Sequence, residues 1–187
     1  MAKKDIILSG VGGQGILSIA TVIGWAALDQ NLHLKQAEVH GMSQRGGDVQ
    51  SNLRISTDTI WSDLIPEGEC DLILSLEPME ALRYLPWLSK GGWIVTNSTP
   101  FVNIPNYPPV EEITAELRKV GNVITLDCDA IAKEAGSPRS SNMALLGASA
   151  AVMEKCRPLR QRNTWSRRSS ARVSPACSPA RATRWWK

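Results

Sequence analysis

The sequence predicts a three-layer, Rossmann-like α/β sandwich built on a largely parallel or mixed sheet. Three observations carry that expectation. Strand-like and helix-like segments alternate through residues 1–154, the pattern of helices packed on both faces of a sheet. Ile6-Ile7-Leu8 and Leu72-Ile73-Leu74 are continuous apolar runs, as expected of strands buried on both faces. A glycine-rich turn, Gly10 to Gly15, stands directly between the first strand and the first helix. The length, 187 residues, suits one domain able to bury a sizeable core.

The elements follow in order. Ile6-Ile7-Leu8 forms the first strand, ended by Ser9-Gly10. After the glycine turn, Ile16, Leu17, Ile19, Ala20, Val22 and Ile23 recur at helical spacing to about Asp29. Residues 33–40 form a second strand. Residues 48–56 form a third, with Val49, Ser51, Leu53 and Ile55 on one face. Thr59-Ile60-Trp61 is expected as a short further strand. Residues 71–76 make a buried strand, and Glu77-Pro78 opens a helix with Pro78 in its first turn. Residues 93–97 form another strand. Pro100, Pro105, Pro108 and Pro109 mark an extended surface connection. Residues 111–120 are helical, 122–126 a strand and 127–135 a helix, broken by Gly136-Ser137-Pro138. Residues 142–155 form a last helix, capped by Ser140 or Ser141. Trp25, Trp61, Trp87 and Trp93 are read as core or interface anchors.

Charge divides the chain in two. The formal net charge of +3 combines 21 Lys and Arg with 18 Asp and Glu. All 18 acids and 11 of the bases lie at or before Glu154, giving −7; the other 10 bases lie in residues 155–187, giving +10. That last segment has eight Arg, five Ser, three Trp and three Pro, and only Leu159 and Val173 as larger aliphatics. Such a composition buries too little apolar surface to offset its ordering entropy. Three readings of it stand: a basic arm for a polyanion, a disordered tail, and an out-of-frame translation of the terminal coding segment, which the composition favours. The acidic segment 1–154 gives no general case for nucleic-acid binding.

Other classes are excluded by composition. No apolar run approaches the roughly 20 residues needed to span a bilayer, and the N-terminus leads straight into a strand with no signal-peptide core. Cys70, Cys128, Cys156 and Cys177 contain no C-x-x-C pair, which argues against zinc or iron–sulfur ligation by this chain alone and against a disulfide scaffold. A reduced, cytoplasmic protein is expected. His33 and His40 lack metal-ligand spacing.

Two constellations carry chemistry. Gly10-Val11-Gly12-Gly13-Gln14-Gly15 fits G-x-G-x-x-G between a strand and a helix. Its glycines allow close approach to the backbone, and the helix N-terminus offers free N–H groups to an anion. With Glu38 near the end of the second strand, spacing alone makes a free-standing dinucleotide-binding protein one reading; a turn that merely packs helix on strand is the other. Gln14 can bind either a neighbouring loop or a ligand. The second constellation, His40-Gly41-Met42-Ser43-Gln44-Arg45-Gly46-Gly47, combines donors, a fixed positive charge and glycines. Arg45 suits phosphate or carboxylate, or a simple salt bridge. Ser43 has no adjacent base and is not read as a nucleophile. Glu77 lies just beyond a buried strand, where α/β proteins bind ligands, while Glu80 and Arg83 are spaced as a surface helical pair. Asn142 stands at the start of the last helix, within reach of an adjacent loop.

Four motifs in order carry a resemblance over about residues 4–154: the turn at 10–15, His-Gly-Met-Ser-Gln-Arg-Gly-Gly at 40–47, Leu-Glu-Pro-Met-Glu-Ala-Leu-Arg-Tyr at 76–84 and Asn-Met-Ala-Leu-Leu-Gly-Ala at 142–148. Together they resemble the gamma-type subunits of 2-oxoacid:ferredoxin oxidoreductases, in the version found in the indolepyruvate enzymes. The resemblance implies a non-autonomous subunit of an enzyme that oxidatively decarboxylates an aryl 2-oxoacid with coenzyme A, giving an aryl-acetyl-CoA, carbon dioxide and reduced ferredoxin. Gamma subunits of pyruvate, branched-chain and 2-oxoglutarate enzymes are the alternatives. It implies thiamine diphosphate and iron–sulfur clusters in a large alpha subunit, with ferredoxin reached through the complex and no membrane or nucleic-acid partner. Gly12, Gly13, Gln14, Gly15, Ser43, Gln44, Arg45, Gly46, Gly47 and Asn142 would form the wall by which coenzyme A approaches, in contact with coenzyme A, the substrate or the partner subunit, with no catalytic residue and no metal ligand here. It redirects the glycine turn away from nicotinamide. The isolated chain is expected to self-associate through its exposed apolar interface.

Overall fold

The computed structural model describes residues 3–40, 47–102 and 104–153. The first strand, β1 (Lys3–Val11), leads through the glycine turn into α1 (Ile16–Asp29). A hairpin follows, β2 (His33–His40) and β3 (Asp48–Ser56). Then come β4 (Cys70–Ser75), α2 (Pro78–Arg83), β5 (Leu88–Asn97), α3 (Val110–Lys119), β6 (Val123–Leu126), α4 (Cys128–Glu134) and α5 (Ser141–Met153). The six strands form one sheet in the order β2-β3-β1-β4-β5-β6. β1, β4, β5 and β6 run parallel, while β3 is antiparallel to both β1 and β2. The sheet is therefore mixed, with a parallel half and a hairpin wing.

Alternation along β1 assigns the two faces. Ile6 and Leu8 point into a cluster with Leu53, Leu72, Leu74 and Val95, covered by Ile16, Ile19 and Ile23 of α1 and Leu145 and Val152 of α5. Ile7 points the other way, with Ile73 and Ile94, beneath Ala81 of α2 and Ile113 and Leu117 of α3. The apolar runs of β1 and β4 are continuous because both faces are dry. Each such side chain contributes about 1.5–3 kcal/mol by leaving water.

At the amino end of the sheet, Asp5 is fully buried and paired with Arg54 through Nε–Oδ1 at 2.9 Å and Nη2–Oδ2 at 3.2 Å. Lys3 adds a contact of 2.6 Å. The free side of the guanidinium donates to the carbonyls of Ser62 and Leu64 at 3.0 and 2.7 Å. This corrects the expectation of a strand at Thr59-Ile60-Trp61. That stretch is irregular, because Arg54 captures the carbonyls just after it and Ile60 and Ile65 plug the core. Trp25 and Trp61 are likewise not core residues: they are 72% and 90% exposed.

Candidate functional site

The carboxyl ends of the parallel strands meet at one edge of the sheet, where open α/β sheets bind ligands. A cavity of about 210 Å³ lies there. Gln14 after β1, Leu76 after β4, and Asn97 and Thr99 around the end of β5 form three sides of it. Asp129 of α4 and Ser141 of α5 close another, and Pro100 and Phe101 form its lip.

The glycine turn is shaped for this position. Gly13 and Gly15 have φ of 101° and 82°, in the left-handed region that side chains rarely enter. A Cβ on Gly15 would also stand 2.5 Å from Asn142 Nδ2. Asn142 Nδ2 donates to the Gly15 carbonyl at 3.2 Å, tying α5 to the turn across 127 residues. Gln14 is a second strut: its Oε1 accepts from Val11 N–H at 2.7 Å, and its Nε2 donates to the Leu76 carbonyl at 3.3 Å. Gly12 N–H donates to the Gly47 carbonyl at 2.9 Å, which joins the turn to the end of the second motif. The N-terminus of α1 carries no side-chain cap and no acid in its first turn, which leaves its dipole free to favour an anion.

Of the residues singled out in the sequence, Gly12, Gly13, Gln14, Gly15, Gly47 and Asn142 are thus brought together. Ser43, Gln44, Arg45 and Gly46 lie outside the described residues, as do 154–187. The topology removes the dinucleotide reading. That fingerprint needs the strand bearing the ribose-binding acid beside β1, whereas β3 separates β1 from the strand of Glu38, which moves that strand one spacing too far, to about 10 Å from β1.

Sequence reasoning missed the groups facing the turn. Asn97 Oδ1 accepts from Cys128 N–H at 3.0 Å, and its Nδ2 donates to Asp129 Oδ2 at 3.3 Å. The asparagine ending β5 thereby fixes the start of α4. Only the position of Asn97 at a strand end could have flagged it.

Glu77 is fully buried. Its carboxylate caps α2 by accepting from Glu80 N–H at 2.8 Å, accepts from Phe101 N–H at 3.5 Å, and takes a short hydrogen bond from the Tyr107 hydroxyl. Burial foremost, and then this bond, raises the Tyr107 phenol above its ordinary range. Glu80 and Arg83 are bonded at 2.8 and 3.1 Å. The pair is not the surface pair expected: Glu80 is buried, and burial raises its carboxyl pKa although Arg83 opposes the shift. Burial also pushes Tyr84 up to about 12.

Cys70 and Cys128 are buried, and burial pushes each thiol up to about 12; such protonated thiols are poor nucleophiles and metal ligands. Among the described residues, no group of three or more His, Cys, Asp or Glu is placed to hold a metal ion, and no helix is long and apolar enough to cross a membrane.

Known proteins match this architecture. The chain is 41% identical over 156 residues to the indolepyruvate oxidoreductase subunit IorB of Pyrococcus horikoshii, covering 79% of this chain and 77% of that one. It is 40% identical over 155 residues to the same subunit of Methanothermobacter thermautotrophicus, covering 79% and 78%. The fold resembles that of the keto/oxoacid ferredoxin oxidoreductase gamma subunit from Geobacter sulfurreducens, with a TM-score of 0.54 at 23% identity over 92% of this chain and 88% of that chain. It also resembles a 2-oxoglutarate:ferredoxin oxidoreductase from Magnetococcus marinus, solved with 2-oxoglutarate, coenzyme A and succinyl-CoA bound. There the TM-score is 0.60 at 20% identity, covering 80% of this chain and 24% of that one. Residues 5–161 match the family described as pyruvate ferredoxin/flavodoxin oxidoreductase; with the glycine turn, the mixed sheet and relatives near 40% identity in agreement, the chain belongs to that family.

Proposed function

We propose that this chain is the small subunit of an indolepyruvate-type 2-oxoacid:ferredoxin oxidoreductase, working in the cytoplasm with a large alpha subunit. The assembled enzyme would convert an aryl 2-oxoacid and coenzyme A into an aryl-acetyl-CoA and carbon dioxide. Two electrons pass to ferredoxin, and the thiol proton is released. Thiamine diphosphate in the partner supplies stabilisation of the carbanion left by decarboxylation, and iron–sulfur clusters there carry the electrons.

One observation carries the reading at this site: the Gly12 N–H to Gly47 carbonyl bond. It joins the glycine turn to the last residue of the 40–47 motif, which supports reading the two as one site, and relatives about 40% identical are indolepyruvate oxidoreductase subunits. In that site Gly12, Gly13, Gln14 and Gly15 give backbone access, while Gln14 and Asn142 hold its shape. On this reading Gly47, and with it Ser43, Gln44, Arg45 and Gly46, which lie outside the described residues, would belong to the same binding wall. Among the described residues the cavity lining includes Asp129 and no basic side chain, so it suits an uncharged portion of coenzyme A, and on this reading the phosphates would fall to Arg45. On this reading residues 1–154 are the working domain, and the basic segment 155–187, which lies outside the described residues, is not needed for activity.

The test is co-expression with a large subunit and an assay of viologen reduction. Turnover dependent on indolepyruvate and coenzyme A, absent from either subunit alone, is the expected result. Preference for pyruvate, a branched-chain 2-oxoacid or 2-oxoglutarate would overturn the indolepyruvate assignment. In the same complex, Arg45→Ala should raise the KM for coenzyme A by about tenfold; unaltered coenzyme A and oxoacid kinetics would remove Arg45 from the site.

A further inference from the structure

The proline-rich connection after β5 is held where it is by a group from elsewhere in the chain. Ser98 N–H donates to the Leu126 carbonyl at 2.9 Å, which fixes the beginning of the connection. The Tyr107 ring packs on the core cluster of Ile73 and Ile94. Between those anchors, Phe101 N–H and the Tyr107 hydroxyl both donate to Glu77, and to the same oxygen, Oε1. The other oxygen, Oε2, caps α2. The main chain of Glu77 is pinned in turn: Ser75 Oγ accepts from its N–H at 3.3 Å and donates to its carbonyl at 2.5 Å. A fully buried carboxylate thus sits at the end of β4 with three donors around it. Two of them come from a segment that would otherwise be surface loop. What that segment presents is the lip of the cavity, Thr99, Pro100 and Phe101, and Phe101 is 44% exposed there.

We infer that Glu77 is a positioning residue: it clamps the connection through Phe101 N–H and the Tyr107 hydroxyl, and so sets Phe101 as the apolar contact for coenzyme A in the cleft. The inference rests on the proposed coenzyme A-dependent activity. Glu77 touches no reacting atom and acts through Phe101. A buried carboxylate suits this task because it accepts several bonds at once, and because a buried charge deprived of donors is costly, so the clamp stays closed. A flexible lip would pay an ordering cost at each binding event, whereas a pre-set one does not.

The assembled complex and the full chain test this by different readouts. Phe101→Ala should raise the KM for coenzyme A about tenfold and keep kcat within about twofold, the signature of lost uniform binding. Tyr107→Phe keeps the ring and removes one donor, and should raise the same KM about threefold. In the Phe101→Ala background, Tyr107→Phe and Glu77→Gln should add less than about twofold, because residues acting through one another are not additive. Additive effects, or an unchanged KM in the single variants, would overturn the inference. Hydrogen exchange on the full chain separates this from the functional reading. The Phe101 amide should exchange at least about tenfold faster in Glu77→Gln and Tyr107→Phe, whatever the enzyme's substrate. Unchanged exchange would overturn the clamp. A wild-type complex with no coenzyme A-dependent turnover would defeat the functional reading, and with it the ligand assigned to Phe101.

Discussion

Arg54 and Asp5 are two residues whose replacement has unequal consequences. Truncating Arg54 strips the fully buried Asp5 carboxylate of its two-pronged partner, leaving the contact from Lys3, and it also frees the carbonyls of Ser62 and Leu64. Arg54→Ala should therefore cost about 3–5 kcal/mol in a urea titration. Arg54→Lys should recover little of it, since an ammonium cannot reproduce the fork to Asp5 and reach two carbonyls as well. Glu80 gives a pH signature of definite sign. Burial holds its folded-state pKa above the ordinary 4.5, so over the range just above 4.5 the native state keeps a proton that the unfolded chain has released. Stability then falls as pH rises through that window. Thermal melts between about pH 4 and 7 should show this decrement in the wild type and its loss in Glu80→Gln. Residues such as these were partly legible in the sequence. The Glu80–Arg83 spacing was visible, but the burial of Glu80 was not, because it depends on α2 lying against the sheet. The partners of Glu77 and Asn97 were invisible for a related reason: they lie 24 to 32 positions away and obey no local period.

Elements legible in the sequence were those with their own signal. β1, the glycine turn, α1 and β4 announce themselves by apolar runs and a G-x-G-x-x-G placement. Their observed bounds agree with the expected ones to within a few residues, as do those of α3, β6, α4 and α5. What local pattern could not convey was strand order. The hairpin of β2 and β3 inserts β3 beside β1 through nine register pairs, and the alternation in β3 is equally compatible with either direction. The glycine turn makes a sharp prediction at this scale. Gly15→Ala meets both a left-handed φ and an Asn142 nitrogen at 2.5 Å, and should lower stability by about 1–3 kcal/mol. Adding Asn142→Ala relieves the clash but not the backbone strain, so the double variant should regain only part of the loss by urea titration.

Across the whole molecule, the net charge of +3 is the sum of two unlike parts, and the acidic part holds all the elements described. A chain ending at residue 154 keeps Val152, the last buried side chain of α5. It should melt within about 2 °C of the full chain, since every core side chain among the described residues is kept. If the truncated chain fails to fold, residues 155–187 are part of the domain after all. The order of the sheet also sets a schedule for synthesis. β1 precedes both of its neighbours, β3 and β4, in the chain; α1 and β3 can reach Ile6 and Leu8 early, but the second strand partner of β1 exists only once residues 72–75 have been made. The Ile7 face of β1 therefore waits longest for cover, since its neighbours Ile73, Ile94, Ile113 and Leu117 all come from later elements, which makes that face the natural point for a chaperone to hold.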